Sequence, residues 1–390
     1  MPKRIKAIAE PELLGWARRS AGLDLEEAAR KASVKPEQLE DWEAGQKQPT
    51  INQLRSLARV YKRPLAVFFL PEPPRDFQPL RDFRRIPDVP ERALSPGLRF
   101  EIRQAHGRRE TALELYEFLG QPPPSFDLAA SLRDDPEQVG QRIRTLLGIG
   151  LDEQVQWRNA RVAFNNWRAA FEARGALVFQ ASGIETGEMR GFSVAERPLP
   201  AVVVNVRDAY AARTFSMFHE IAHLMLNTGG LCDLEEHGAD DSREQRTEVF
   251  CNRVAAAALM PREYLMREPL VRDNARTSEW PDRDTERLAR RYSVSKEALL
   301  RRLLTFGRVS AAYYRHKRRQ FRQEYEAWRS RQRDGYRDWA REPITKAGRS
   351  FVLLVMTCYN QGRITLVDAS RSLGVNAQLV GKVEAELRLG

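Results

Sequence analysis

Residues 215–227 read FSMFHEIAHLMLN, with His219 and His223 four apart and Glu220 beside the first. On an α-helix, side chains four apart share a face. Phe215, Phe218, Ala222, Met225 and Leu226 recur at helical spacing, which predicts that helix, and Gly229 and Gly230 are expected to end it. Two imidazoles on one face can reach a tetrahedral zinc at about 2.0–2.1 Å, with the adjacent carboxylate placed to accept a proton from water. The chemistry that follows is amide hydrolysis.

A zinc site of this kind needs a third protein ligand. The best candidate is Glu248, in the amphipathic run TEVFCNRVAAAALMP at 247–261. Glu244, Asp240 and Asp241 are rivals. Cys251 lies one turn from Glu248, but a small cysteine on an apolar helix face reads as core. Cys232 and His237 fall between the two helices and read as loop residues that could also approach the metal. Two histidines and a carboxylate suit Zn2+, one per chain, and also Mn2+.

Upstream, ALVFQAS at 176–182, RGFSVAE at 190–196 and AVVVNV at 201–206 are rich in Val and Phe and predict a small sheet. Before them, two amphipathic helices are expected from about residue 135, the second through Trp157, Ala160, Phe164, Trp167 and Phe171. After them the chain reads as helical to its end.

Length and charge bound the remainder. A chain of 390 residues predicts two or three domains. A net charge of +11 favours contact with polyanions. The longest apolar runs, such as Phe351 to Met356, fall far short of the roughly 18–20 residues that cross a bilayer, so no membrane partner is expected. The amino-terminal residues lack a signal-peptide core, and three widely spaced cysteines without CxxC fit reduced thiols, so the expected location is cytoplasmic.

Residues 10–70 contain five short helical patterns, Leu13 to Arg19, Leu25 to Ala32, Pro36 to Ala44, Ile51 to Tyr61 and Pro64 to Leu70. Asp24 with Glu27 and Thr50 with Gln53 have capping-box spacing. Leu14, Ala17, Leu25, Ala28, Ala29, Val34, Leu39, Trp42, Leu54, Leu57 and Ala58 can close one small core. A proline-dense connector follows, then helical periodicity from Arg99 to Leu119 that stops at Gly120. Residues 301–341 read as one long basic helix. Its Tyr313, Tyr314, Phe321, Tyr325, Trp328, Tyr336 and Trp339 either stack nucleic-acid bases or face their own core. ITLVDASRSLGVNAQLVGKVEAEL, near the end, has a helix-turn-helix-like pattern.

AVVVN, RTFSMFHEIAHLML and EVFCNRVAAAALMP together resemble the ImmA/IrrE family of zinc metallopeptidases over about residues 150–270. The departures are Phe250 and Cys251, at positions often acidic and alanine in relatives. Carried over, the resemblance implies that His219, His223 and Glu248 bind zinc and that Glu220 is the general base. LEEAARKASVKPEQLEDWEAGQKQPT at 25–50 resembles the XRE-type helix-turn-helix family. There the third helix would enter the major groove, with Lys35 and Gln38 as DNA contacts. Glu37, Glu40, Asp41 and Glu43 oppose phosphates on that helix, so the module binds DNA or serves docking or homodimerisation.

The expected architecture is therefore multi-domain and mostly α. An N-terminal five-helix helix-turn-helix domain (1–72) and a Pro-rich linker with a helical arm (73–125) precede a central α+β zincin-like metallopeptidase with a small sheet (126–270) and a basic helical C-terminal region (271–390). The expected function is zinc-dependent site-specific cleavage of a partner protein, such as a helix-turn-helix repressor or a toxin partner, in a stress or mobile-element response. The alternative is a DNA-binding regulator or antitoxin-like protein whose peptidase fold serves recognition with little turnover.

Overall fold

The computed structural model describes residues 6–74, 81–82, 94–228, 230–232, 243–273, 279–331 and 338–389. The chain divides into two compact units, Met1–Pro79 with Pro87–His106, and Leu80–Ile86 with Gly107–Gly390.

In the first unit, α1 (Pro11–Ser20), α2 (Leu25–Ala32), α3 (Pro36–Glu43), α4 (Ile51–Val60) and a closing 3-10 turn (Leu65–Phe69) occupy the five expected segments. The Asp24 carboxylate accepts from the Glu27 amide, and Thr50 with Gln53 forms a reciprocal capping box. The expected apolar set is buried, apart from Leu25 and Val34, which are half-buried, and Tyr61 and Phe68 join it. Arg18 donates to both Glu43 oxygens, at 2.8 and 2.9 Å, tying α1 to α3.

α5 (Pro96–Phe118) carries the periodicity read from Arg99 and stops before Gly120, which sits at φ 64°. Then come α6 (Pro136–Leu147), a single turn α7 (Leu151–Gln154) and α8 (Ala160–Glu172). Trp157 lies outside α8: Asn159 Oδ1 accepts from the amides of Arg161 and Val162 and starts the helix later than periodicity suggested. Trp157 still packs edge-on to Trp167, 5.1 Å between ring centres.

The strands are β1 (Arg81–Asp82), β2 (Leu177–Ala181), β3 (Gly191–Val194), β4 (Ala201–Asn205) and β5 (Gly230–Cys232), in spatial order β1-β5-β3-β4-β2. The three expected strands lie side by side in the sheet, with β2 at one edge. β5 was not foreseen, being too short to carry an alternation. β2 and β4 pair in parallel, Leu177 opposite Ala201, and β3 runs antiparallel to β4 and β5. Every residue of β2 and β4 is buried, which explains their near-continuous apolar sequence.

The remaining helices are α9 (Tyr210–Met225), α10 (Arg243–Leu259), α11 (Arg262–Arg267), α12 (Pro269–Asp273), α13 (Asp282–Tyr292), α14 (Lys296–Thr305), α15 (Ala311–Ser330), α16 (Glu342–Ala347), α17 (Arg349–Asn360), α18 (Leu366–Leu373) and α19 (Val380–Leu389). α9 ends earlier than its glycines suggested, because Asn227 takes the left-handed conformation at φ 55°. The single long helix expected over 301–341 is instead two elements. Gly307 at φ 64° breaks it, and the Ser310 hydroxyl accepts from the Tyr313 amide to start α15 afresh. Tyr313, Tyr314 and Phe321 are buried in the core of the second unit, so this stretch is largely an amphipathic packing helix rather than a base-stacking surface. Tyr325 donates to Asp208 at 2.8 Å, while Trp328 and Trp339 are exposed. Tyr336 lies outside the described residues. No described helix is long and apolar enough to cross a membrane.

Candidate metal centre

α9 is buried along most of its length between α8, α10 and strands β3 and β4. That burial fixes which way its polar residues point. His219 and His223 face α10, and their Nε2 atoms lie 3.2 Å apart. Glu248 of α10 brings Oε2 to 3.2 Å from His219 Nε2 and Oε1 to 3.3 Å from His223 Nε2. All three side chains are buried, and the Glu248 oxygens make no aligned hydrogen bond. A tetrahedron with bonds of about 2.0–2.1 Å has edges of about 3.3–3.4 Å, so the three donors already span one of its faces. Among the described residues this is the one group of three His, Cys, Asp or Glu side chains converged closely enough to hold a metal ion.

The outer nitrogens are engaged. His219 Nδ1 donates to Asn252 Oδ1 at 3.0 Å, and His223 Nδ1 lies 3.3 Å from Thr228 Oγ1. Pinning Nδ1–H directs the Nε2 lone pairs towards Glu248, the tautomer that a metal requires. Sequence reasoning missed Asn252 and Thr228. Asn252 was within reach of it, since it stands four residues after Glu248 and so on the same face of α10.

Glu220 points the other way, towards the sheet. A Cβ at Gly191 of β3 would fall 2.9 Å from Glu220 Oε1, so the bare glycine makes room for the carboxylate. Burial raises the Glu220 pKa above the ordinary carboxylate value, outweighing the nearby imidazoles that pull it down. Burial would raise Glu248 too, but His219 and His223 hold it at about 2. For His219, burial pulls downward and is overcome by Glu248, leaving its pKa raised.

Of the rival ligands, Glu244 is exposed in the first turn of α10. Cys251 is fully buried in the core, where burial pushes its thiol pKa well up, as a packing residue requires. His237, Asp240, Asp241 and the side chain of Cys232 lie outside the described residues.

Two devices hold α10 in place. Gly140 of α6 touches its backbone so closely that a Cβ would fall 2.7 Å from the Ala258 nitrogen. The carbonyls at its C-terminal end, which no helical amide can satisfy, are met by side chains from elsewhere. Arg144 donates to Ala258 O at 2.9 Å, Gln154 to Leu259 O at 3.0 Å, and Arg302 to Met260 O at 3.1 Å.

A helix with two histidines and a neighbouring buried glutamate, completed by a carboxylate from a second helix, is the arrangement of a metal-dependent hydrolase. Comparison with family models gives the particular kind: residues 172–304 match the IrrE N-terminal-like domain, a metallopeptidase family, and residues 14–68 match a helix-turn-helix domain. The chain thus joins an ImmA/IrrE-like peptidase domain to an XRE-type helix-turn-helix domain. Comparison with curated proteins finds no match.

Proposed function

We propose that this chain is a zinc-dependent, site-specific endopeptidase that acts in the cytoplasm on a partner protein. The class of partner is a DNA-bound helix-turn-helix repressor, or a toxin-type partner, whose cleavage switches on a stress or mobile-element response. The observation that carries the reading is the convergence of His219, His223 and Glu248, with edges of 3.2 to 3.3 Å and Asn252 and Thr228 behind the histidines.

On this reading His219, His223 and Glu248 hold the metal through Nε2, Nε2 and carboxylate oxygen. Zinc there would supply Lewis acidity towards a peptide carbonyl and lower the pKa of water towards 7; manganese is the other metal this donor set suits. Glu220 accepts a proton on its carboxylate as water attacks and returns it to the leaving amine nitrogen. Gly191 keeps β3 from displacing the carboxylate.

The helix-turn-helix domain would bring the peptidase to DNA, with Lys35 and Gln38 contacting it. Two of the four acids on that helix are engaged within the domain, Glu43 with Arg18 and Asp41 with Lys47 at 2.6 Å. This lessens the repulsion that the sequence alone suggested. A homodimer formed through this domain is compatible with the same role. The domain match also keeps a second reading in view, a DNA-binding regulator with little turnover. Glu220→Gln separates them. Co-expression with a candidate helix-turn-helix repressor should give cleavage that the variant abolishes; intact repressor with the parent protein, alongside tight salt-sensitive DNA binding, would favour the second reading.

A further inference from the structure

A cavity of about 220 Å³ opens between α9, α10, α14 and α15. It lies beside the buried metal centre, one helical turn further along α9 and α10. On α9 the face bearing His219 runs back through Phe215 to Ala212, and on α10 the face bearing Glu248 runs on through Asn252 to Ala256. All four of these further residues line the cavity. Asn252 belongs to both places, since its Oδ1 receives the His219 Nδ1 proton.

The charged lining is one-sided: Arg190, Arg253, Arg301, Arg302 and Arg318 against Glu297. Arg190 pairs with Asp208 at 3.1 Å, Arg302 with Glu137 at 2.7 Å, and Arg318 with Glu297 at 3.1 Å. Arg301 lies over the Tyr314 ring, 5.7 Å from its centre. Arg253 is exposed and makes no ion pair or hydrogen bond among the described residues. A guanidinium so placed offers a planar two-pronged donor whose natural complement is a carboxylate. Size narrows the ligand. Cofactor-sized molecules occupy pockets of about 300–1,000 Å³, so this space suits a side chain rather than a nucleotide.

We propose that this cavity is a specificity subsite for an acidic side chain, Asp or Glu, of the polypeptide substrate, placed beside the scissile bond, with Arg253 and Arg301 as its receptors. The proposal rests on the peptidase reading and adds the substrate's chemistry to it. A substrate residue next to the scissile bond, held at the His219–Glu248 end of these two helices, would lie about one helical turn from the cavity.

The test uses the full-length zinc-loaded protein carrying Glu220→Gln, so that binding is read without turnover. The probes are fluorescein-labelled octapeptide pools in which one position is fixed as Glu or Gln and the others are randomised, with affinity read by anisotropy. The expected result is about tenfold tighter binding for Glu at one position, lost when Arg253→Gln is added and weakened by Arg301→Gln. Equal binding of Glu and Gln pools at every position overturns the proposal, as does a Glu preference that survives both arginine substitutions. Saturable binding of inorganic pyrophosphate that needs Arg253, without any Glu preference, also overturns it and reassigns the cavity to a small anion. The same pools incubated with the parent protein and analysed by mass spectrometry keep the two readings apart. Arginine-dependent Glu preference without cleavage upholds the subsite and counts against turnover, whereas cleavage indifferent to Glu upholds the peptidase and removes the subsite.

Discussion

Asn252 and Gly191 each act on the proposed chemistry through a neighbour, and each can be tested by a small change. Asn252→Ala removes the acceptor for His219 Nδ1–H. Zinc affinity should fall about 10–100-fold in competition with a chromogenic chelator, while the circular dichroism spectrum stays that of the parent. Unchanged affinity would mean that the ring is held by packing alone. Gly191→Ala places a methyl 2.9 Å from Glu220 Oε1 and 3.1 Å from its Cγ. The expectation is full metal content with cleavage reduced about 100-fold, since displacing a reacting group by roughly 1 Å has that order of effect. Metal loss in this variant would show that β3 supports the ligands as well as the base.

At the scale of elements, the position of α10 decides whether Glu248 meets the histidines. Gly140→Ala forces α6 away from the α10 backbone and should cost about 1–3 kcal/mol of stability. Gln154→Leu strands the Leu259 and Tyr292 carbonyls that its amide now serves, at about 1–3 kcal/mol each. Denaturant melts of the metal-free protein measure both, and unchanged midpoints would contradict the account. α15 gives a pH prediction. Side-chain hydrogen bonds from Lys317 and Lys296 lower the pKa values of Asp282 and Glu324 respectively. Groups lowered on folding stabilise above their unfolded pKa and lose that contribution as pH falls below about 4, so protection of α15 amides from hydrogen exchange should weaken there first. The effect is small, because all four side chains are largely solvated except Lys317. Much at this scale was legible in the sequence. The 3.6 period of α9 and α10 and the Val-rich strands announced themselves within short windows, as did the caps Asp24 and Thr50. The break in residues 301–341 was also written there, in Gly307 and Ser310, but it was masked by unbroken basic character. The supports of α10 were not legible. Arg144 and Gln154 reach carbonyls more than a hundred residues away, and nothing local marks such pairings. The same holds for the arginine-lined cavity, whose walls come from widely separated parts of the chain.

For the whole molecule, a helix-turn-helix domain and a peptidase domain in one chain would, on the proposed function, couple where the protein goes to what it does there. Lys35→Ala should weaken DNA binding at all sequences and reduce the salt slope by about 1, whereas Gln38→Ala should relax sequence preference at one base pair; a salt slope unmoved by either would favour the docking role for this domain. Everything chemical, however, depends on the three converging side chains. The most direct measurement is metal content, by mass spectrometry, of the purified parent chain and of His219→Ala, His223→Ala and Glu248→Ala. The account predicts about one zinc per chain in the parent and its loss in all three variants. A parent protein purified without chelators that carries negligible metal, and takes up none when zinc is supplied, would contradict it.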